Sequence, residues 1–328
     1  MKQIFLILNN NNQISDRGVF AKRFDSKSAF VREINGYEFF SSFYTKVPKL
    51  LESNDTGELC VVYEKIDSAH NKRVTDMLYI NQIVYLRQNF TKLSSIANAY
   101  HKKRASTGGT QIFYIDRVGG LTNRQIITDY AGYLSSFQTQ VINGRKVFAD
   151  KDILIQLKQQ ITSFHHGICI PSQGDIHERN IFTDGCIVDF EGSGWNHVAT
   201  DLATFLWHTI FAGSHFGPQY ARWSTTVDKK LFKEQKTQFI SDGKEIIVRL
   251  SYARKDLLSQ YLNTYLDSLD FLDDQILCDT SNAIAFRLVS TFSPLAMNDS
   301  DRMMTFALAN FFHNADLNLY DKLKILTK

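Results

Sequence analysis

The spacing of apolar and polar residues divides the chain into a short beginning typical of strands and a longer remainder typical of helices. Short apolar runs predict strands over residues 4–8, 18–24 and 59–66, with a polar turn region over 9–17 between the first two. Between the second and third runs, apolar residues recur every three or four positions and predict a helix over 28–43. The beginning of the chain therefore predicts two strands, a helix and a third strand.

Helical spacing dominates after residue 75. Asp152 begins a predicted helix whose Ile153, Leu157 and Ile161 share one buried face, and Asp201 begins and caps another. Further predictions are a helix over 75–100, an extended segment over 111–118, a capping box of Thr122 with Gln125, and alternating helical patterns over 225–328.

Composition limits the size of the core and the kind of partner. A chain of 328 residues, 44% of them hydrophobic, is long enough to bury one large core or two lobes. Its 37 basic and 34 acidic residues leave a formal net charge of +3, which is too balanced to indicate a nucleic-acid or membrane partner. The four cysteines are widely spread without metal-ligand spacing, so they are expected to be reduced thiols.

The same composition indicates a cytoplasmic protein. The apolar run near the start, over residues 4–8, is too short for a signal peptide. No apolar run approaches the roughly 18 residues that a membrane span requires. We therefore expect a cytoplasmic location, where ATP and Mg²⁺ are present.

The stretch over residues 173–191 concentrates the candidate chemistry. An Asp-Gly pair at 184–185 is the preferred two-residue hairpin turn. Counting outward from this turn places Asn180 opposite Asp189, with Cβ atoms roughly 4.5–5.5 Å apart. Asp175 lies five residues before Asn180 on a loop that contains glycine. Two carboxylates and an amide oxygen suit Mg²⁺, which takes hard oxygen ligands and shares them with substrate phosphates.

A second candidate lies on the strand predicted over 18–24. Lys22 shares one strand face with Phe20 and Phe24. A lysine between two aromatic residues is unusual on a solvated face, so its ammonium group is expected to have a partner. The alternative is a lysine that extends from an edge strand into water.

The stretch over residues 173–191 resembles the catalytic and metal-binding loops of the protein-kinase-like fold. The shared order is an aspartate, four residues, an asparagine, a hairpin and then Asp-Phe. Gly174 before the first aspartate, Glu191 after Asp-Phe and Asp201-Leu202-Ala203 are similar to the aminoglycoside phosphotransferase and choline kinase family. The resemblance implies an α+β, bilobal fold. A small N-terminal β-sheet lobe over 1–67 would bind nucleotide and end in the hinge, and a larger, mostly helical C-terminal lobe over 68–328 would catalyse transfer and bind the acceptor.

The resemblance also implies roles for residues of the catalytic loop. Asp175 would be the catalytic residue, accepting or orienting the proton of an acceptor hydroxyl. Asn180 and Asp189 would bind Mg²⁺ that bridges the nucleotide phosphates. His177 would contact substrate or phosphate, or would brace the loop, and the sequence leaves both alternatives open.

In the N-terminal lobe, the resemblance implies a nucleotide site. Lys22 would hold the ATP phosphates and pair with a helix glutamate. For that pair we prefer Glu38 over Glu33, because Glu38 lies ten residues before a proline in a position common in the family. The hinge, including Glu64 and Ile66, would meet the adenine edge through backbone groups.

Two features depart from the family pattern. Only 21 residues precede Lys22, and Gly18 is the sole glycine among them. The Gly-rich loop that covers the phosphates is thus expected to be absent, replaced by the turn at 9–12, or encoded further upstream. Gln173 stands where the family commonly has histidine, and we expect it to support the loop rather than to take part in the chemistry.

Two charged runs each leave two interpretations open. The basic residues at 101–104 are expected to form a solvated helix end, with a phosphate-binding patch as the alternative. Acidic residues at 267, 270, 273 and 274 are expected to form a solvated face. Their alternative is a wall of an acceptor pocket for cationic substrates.

The sequence therefore predicts an ATP-dependent phosphotransferase that transfers a phosphoryl group to a hydroxyl of a small molecule such as a sugar, an amino alcohol or an aminoglycoside. A nucleotide-binding pseudokinase with a regulatory role is the alternative. A protein kinase is disfavoured because Glu191 replaces glycine and no Ala-Pro-Glu sequence follows.

Overall fold

The computed structural model describes residues 5–7, 12–15, 19–66, 84–108, 139–221, 226–234, 237–241, 245–252, 254–292, 296–314 and 316–327. The predicted extended segment at 111–118 and the capping box at 122–125 lie outside these residues, as do residues 75–83 of the long predicted helix. Within them, no helix is both long and apolar enough to cross a membrane.

Five antiparallel strands form the N-terminal sheet, in the order β1-β2-β3-β5-β4. They are β1 (Phe5–Ile7), β2 (Asn12–Ser15), β3 (Val19–Arg23), β4 (Leu50–Asn54) and β5 (Cys60–Glu64). The predicted polar turn over 9–17 is wrong for residues 12–15, because these form β2 and place Asn12 opposite Lys22 on β3. Among the described residues, two strands therefore precede the strand that carries Lys22. Residues 8–11, at the predicted replacement for the phosphate-covering loop, lie outside the described part.

Helix α1 (Lys27–Ser41) follows β3, close to its predicted bounds. It begins at Ser26, whose hydroxyl accepts a hydrogen bond from the Ala29 N–H at 3.2 Å. At Gly36, an added Cβ would lie only 1.9 Å from the carbonyl oxygen of Phe190. Glycine therefore lets the helix backbone lie directly against the Asp-Phe-Glu segment.

The described part of the remainder is mostly helical, with two small sheets. The helices are α2 (Val84–Tyr100), α3 (Ile153–Ser163), α4 (Val198–Trp207), a π-helix (His208–Phe216), α5 (Gly217–Tyr220), α6 (Thr226–Glu234), α7 (Lys255–Thr264), a 3₁₀ helix (Leu266–Ser268), α8 (Asp274–Ser290), α9 (Asp299–Asn314) and α10 (Leu319–Leu326). The strands are β6 (Lys102–Ala105), β7 (Thr139–Ile142), β8 (Arg145–Phe148), β9 (His166–Ser172), β10 (Gly194–His197), β11 (Gln238–Ser241) and β12 (Glu245–Arg249), which pair in the orders β10-β9-β6 and β11-β12-β7-β8.

Two of the predicted element boundaries are wrong. The basic run at 101–104 is not a helix end: α2 stops at Tyr100, and the run enters edge strand β6, which pairs with β9. Asp201 does not begin its helix either. Helix α4 starts at Val198, capped by the His197 side chain, and Asp201 lies in its first turn.

The buried core is continuous between the sheet-bearing and helical parts. Every residue of α4 is buried, and this helix packs against α8, which in turn packs against α9. Helix α3 buries Ile153, Leu157 and Ile161, as predicted. The predicted class, α+β with a small sheet-bearing part followed by a larger, mostly helical part, is confirmed.

Candidate active site

Gln173 fixes the loop that follows β9. Its side chain is fully buried, and its Oε1 accepts a hydrogen bond from the Asp175 N–H at 2.8 Å. Its Nε2 donates to the carbonyl oxygen of Val188 at 3.0 Å and also to that of Asp189. One buried amide thus joins the loop that carries Asp175 to the segment that carries Asp189. These contacts match the supporting role expected for Gln173.

The hairpin between these segments has a different turn from the predicted one. The Gly185 N–H donates to the Phe182 carbonyl oxygen at 2.9 Å, and Gly185 has φ of 88°. This is a three-residue loop that ends in a left-handed glycine. The Val188 N–H donates to the Asn180 carbonyl oxygen at 3.0 Å. The predicted two-residue turn, and the pairing of Asn180 with Asp189, are therefore wrong by one position.

Asp189 has φ of 70°, in the left-handed region that residues other than glycine seldom adopt. Such a backbone persists only where its surroundings hold it, and it is common at functional sites. Here the Asp189 carbonyl oxygen accepts from Gln173, and the next N–H, of Phe190, donates to Glu33 Oε2 at 3.1 Å. In this conformation the Asp189 carboxylate contacts Lys22.

Lys22 lies between two carboxylates. Its Nζ is 2.9 Å from Glu33 Oε2 and also contacts Asp189 Oδ1. The prediction that Glu38 pairs with Lys22 is wrong, because Glu38 is exposed and lies about 140° around the helix from Glu33. Burial lowers the pKa of Lys22, but the charges of Asp189, Glu33 and Glu191 outweigh it and hold this pKa above the ordinary 10.5.

Glu33 anchors helix α1 to both halves of the site. Its side chain is 1% exposed, and Oε2 accepts from Lys22 and from the Phe190 N–H. Its Oε1 accepts from the Tyr63 hydroxyl on β5 at 2.8 Å. One carboxylate thus connects the sheet, the helix and the Asp-Phe-Glu segment.

We expect Glu33→Gln to lower the free energy of unfolding by about 1–3 kcal/mol, because its amide would turn a donor toward buried donors. The variant should also raise the KM for ATP, because Lys22 loses one of its two carboxylate partners. Glu38→Gln, on the exposed part of the same helix, is the matched control and should change neither value. Urea unfolding and ATP kinetics measure both effects. Equal behaviour of the two variants would contradict the assignment.

One oxygen of the Asp175 carboxylate contacts the ring of His177. The Arg179 N–H donates to His177 Nδ1 at 3.2 Å, so the proton of a neutral ring is on Nε2, which lies 3.3 Å from Asp175 Oδ2. Burial raises the pKa of Asp175, but His177, Arg287 and His208 more than offset it, and this pKa lies below the ordinary 3.8. Its side chain is 43% exposed. Asp175 is therefore ionised near neutral pH and open on one side.

Asn180 and Asp189 offer the oxygen atoms that Mg²⁺ prefers. Asn180 Nδ2 donates to the Asp175 carbonyl oxygen at 3.0 Å, which directs the amide nitrogen back into the loop and leaves Oδ1 as the donor oxygen for a metal. The Asp189 side chain is 37% exposed. An amide oxygen and a part-exposed carboxylate fit Mg²⁺, which takes few protein ligands where phosphates supply the others.

The predicted hinge lies at the end of β5. The Glu64 N–H donates to the Lys49 carbonyl oxygen at 2.8 Å within the sheet, and the Glu64 side chain is exposed. The Glu64 N–H is therefore engaged within the sheet, and a backbone contact of Glu64 with adenine stays a prediction. Ile66 is the last described residue before position 84, and its role as a backbone contact stays a prediction.

The acidic run at 267–274 has structural partners. Asp273 caps α8 by accepting from the Ile276 N–H at 2.8 Å, and Asp267 accepts from the Tyr320 hydroxyl at 2.6 Å. All four acidic residues are exposed, which fits the expected solvated face rather than the wall of a cationic acceptor pocket.

No family model and no curated protein matches the chain. Among solved structures, it is similar to a glucosamine kinase in complex with glucosamine, ADP and inorganic phosphate, with 13% identity and a TM-score of 0.49 over 98% of this chain and 81% of that one. It is also similar to a choline/ethanolamine kinase family protein from Mesorhizobium loti, with 12% identity and a TM-score of 0.49 over 98% and 92%. For a choline kinase from Cryptosporidium parvum, the identity is 14% and the TM-score 0.41 over 98% and 89%.

These structures are of the kind that the catalytic-loop motif resembles. With TM-scores below 0.5, the likenesses carry no weight for the activity of this chain. The function proposed below rests on the chain's own residues.

A buried polar network behind the catalytic loop was missed in the sequence. Glu178 is fully buried, and its Oε1 accepts from Arg254 Nη1. Its Oε2 accepts from His208 Nδ1 and from the Thr209 hydroxyl, each at 3.1 Å. Burial lowers the pKa of His208 to about 4, although the Glu178 charge acts to raise it, so this histidine is neutral at pH 7. In the sequence, only the adjacent charged residues Glu178 and Arg179 of the catalytic loop could have drawn attention to the network.

The network is not arranged as a metal centre. Ligand atoms of His177, Glu178 and His208 lie within 4.8 Å of one another. However, the two imidazole rings stack face to face, 3.9 Å apart at 10°, so their in-plane lone pairs do not converge on one ion. The Arg254 guanidinium also holds the carboxylate and would repel a cation. The geometry is that of a hydrogen-bonded network.

Asp201 gives the site a testable pH dependence. Burial raises the pKa of its carboxyl to about 6, although Ser172 and the Tyr265 hydroxyl, which donates to Asp201 Oδ2 at 3.4 Å, both lower this pKa. Because the folded-state pKa lies above the ordinary 3.8, the contribution of Asp201 favours folding below about pH 4 and is lost as the pH rises through about 6.

We expect Asp201→Asn to remove this dependence. As the pH rises from 4 to 8, the wild type should lose about 3 kcal/mol of unfolding free energy relative to the variant, because the pKa of Asp201 is raised by about two units. Urea unfolding at several pH values measures the shift. Exposed Asp270→Asn is the control, and parallel curves for Asp201→Asn and the wild type would contradict the assignment.

Proposed function

We propose that this protein is an ATP-dependent phosphotransferase that transfers the γ-phosphoryl group to a hydroxyl of a small molecule. One observation carries the proposal: Lys22, Glu33 and Asp189 form a single ion-paired cluster, which Gln173 links to the loop of Asp175 and Asn180. A lysine for phosphates, two metal-binding oxygens and a carboxylate base are the parts that phosphoryl transfer requires.

In this proposal, Asp175 binds and orients the acceptor hydroxyl. Its carboxylate is ionised, and His177 Nε2 holds Oδ2 at 3.3 Å, so Oδ1 is the oxygen that faces the acceptor. The hydroxyl donates to this oxygen and passes its proton there as it attacks the γ-phosphorus, while the bond from the γ-phosphorus to the β-phosphate oxygen breaks and ADP leaves. A carboxylate with a low pKa orients the hydroxyl and accepts the proton late in the transfer.

Lys22 and the two oxygen ligands act on the phosphates. Lys22 is charged and held by Glu33, which aims its ammonium at the segment with Asp189. Asn180 Oδ1 and the Asp189 carboxylate would hold Mg²⁺, which would neutralise charge on the phosphate oxygens. The lobes proposed at 1–67 and 68–328 would then bind the nucleotide between them, with backbone groups of Glu64 and Ile66 at the adenine edge.

The test is a screen of the full chain with Mg-ATP against sugars, amino alcohols and aminoglycosides, beginning with glucosamine and choline. Phosphorylated product is detected by ³¹P NMR, together with the release of ADP. We expect transfer to at least one acceptor and none by the Asp175→Asn protein. Mg-ATP binding without transfer to any acceptor would favour the pseudokinase alternative, and failure to bind Mg-ATP would overturn both.

A further inference from the structure

Asp175, the proposed base, lies at one end of a continuous chain of side-chain contacts that extends into the protein interior. His177 Nε2 donates toward Asp175 Oδ2 at 3.3 Å, and the His177 ring lies flat on the His208 ring, 3.9 Å away at 10°. His208 Nδ1 donates to Glu178 Oε2 at 3.1 Å, and Arg254 holds the other oxygen of Glu178. Each contact orients the side chain that precedes it.

The far end of this chain is set in an unusual backbone. His208 is the first residue of a nine-residue π-helix. Such helices are rare and are frequently found at functional sites. Arg254 Nη2 also donates to the Thr209 carbonyl oxygen at 2.6 Å, so the guanidinium binds the π-helix backbone as well as Glu178.

Gly213 leaves the room for this arrangement. A Cβ at this position would lie 2.8 Å from Arg254 Nη2, 2.9 Å from Glu178 Oε1 and 3.3 Å from His208 Cε1. Cβ atoms essentially never approach another atom as closely as the first two of these distances, and the third is tighter than most. The side chains of the network are all buried, so they have little freedom to move aside.

We propose that the Glu178–Arg254 pair, acting through His208 on the π-helix, positions the His177 ring and thereby the Asp175 carboxylate for phosphoryl transfer. The inference rests on the proposed function, since it assigns Asp175 as the base. His208 is a positioning residue, because it touches His177 and Glu178 rather than the reacting atoms. A misplaced base costs turnover much more than it costs ATP binding.

The first test is kinetic. His208→Leu removes the stacked ring and the donor to Glu178, and Gly213→Ala displaces the same groups without changing any of them. Both should lower kcat by about 10- to 100-fold while the KM for ATP stays unchanged. Ser214→Ala, on the same π-helix, removes a hydroxyl that donates to the Ile210 carbonyl oxygen at 2.6 Å and to the Thr209 carbonyl oxygen at 3.5 Å, and it leaves the side chains of Glu178, His208 and Arg254 unchanged. It is the control and should keep wild-type kcat.

A double-mutant cycle separates positioning from a general effect on folding. In the Asp175→Asn background, His208→Leu should cause no further loss of kcat, because the base that it positions is already gone. Multiplied losses, or a rise in the KM for ATP equal to the fall in kcat, would overturn the proposal. Thermal unfolding identifies a variant that does not fold, in which case the other variant is used for the cycle.

A second measurement does not depend on activity. ¹⁵N NMR of labelled histidines should show His177 Nδ1 as a hydrogen-bond acceptor, and His208→Leu should shift the His177 ring signals. A His177 proton on Nδ1 in the wild type, or His177 signals unchanged in the variant, would overturn the positioning role. If the wild type transfers no phosphate at all, the proposed function fails, and the NMR result alone then decides whether the network orients Asp175.

Discussion

Asp189→Asn is expected to lower phosphoryl transfer by roughly a thousandfold, since a charged metal ligand supplies several kcal/mol to a phosphoryl transition state. Asparagine is the sharpest replacement because Asp189 has φ of 70°, a conformation that asparagine tolerates and alanine does not. The measurements are kcat as a function of Mg²⁺ concentration and direct Mg-ATP binding by calorimetry. We expect kcat to fall and Mg-ATP binding to weaken, while the thermal unfolding temperature stays close to that of the wild type.

Glu191→Gln is the matched control for Asp189. Glu191 also places a negative charge near Lys22, but it is not one of the proposed metal ligands. If Asp189 acts as a metal ligand rather than as a general countercharge to Lys22, the Glu191→Gln variant should lose far less activity than the Asp189→Asn variant. Equal losses in the two variants, or full Mg²⁺-dependent turnover by Asp189→Asn, would remove Asp189 from the metal site. Asp189→Ala should in addition lose about 1–2 kcal/mol of stability from its backbone conformation.

Asp175→Asn is the second variant with a large expected effect. It keeps the size of the side chain and an oxygen that can accept from His177, but it removes the charge and the basic oxygen. We expect kcat to fall by about 10²- to 10⁴-fold, the usual range for a general base, with little change in the KM for ATP. Steady-state kinetics with the acceptor found in the screen provide the measurement.

Asp184→Asn is the control for Asp175. Asp184 accepts from the Cys186 N–H at 2.9 Å in the hairpin turn, and asparagine can accept the same bond, so this variant should keep wild-type kcat. If Asp175→Asn instead raised the KM for ATP as much as it lowered kcat, Asp175 would be a nucleotide-binding residue. If it left kcat intact, the carboxylate would have no part in the transfer.

The sequence by itself determined those features that depend on local pattern. The strands that carry Lys22 and Glu64, helix α1, and the buried face of α3 follow from the spacing of apolar residues, because burial of one face requires that spacing. Asp175, Asn180 and Asp189 were identified as a set because they lie within one short stretch whose pattern predicts a loop and a hairpin.

The tertiary structure decided whatever depends on contacts between distant residues. Glu33 and Glu38 both lie on α1, and only the packing of that helix against β5 and Phe190 shows that Glu33 faces Lys22. Backbone pairing across the hairpin set its register. The network behind Asp175 joins Glu178 to residues 30 and 76 positions away, at His208 and Arg254. Local pattern contains no information about such partners, because burial and charge pairing in the folded core select them.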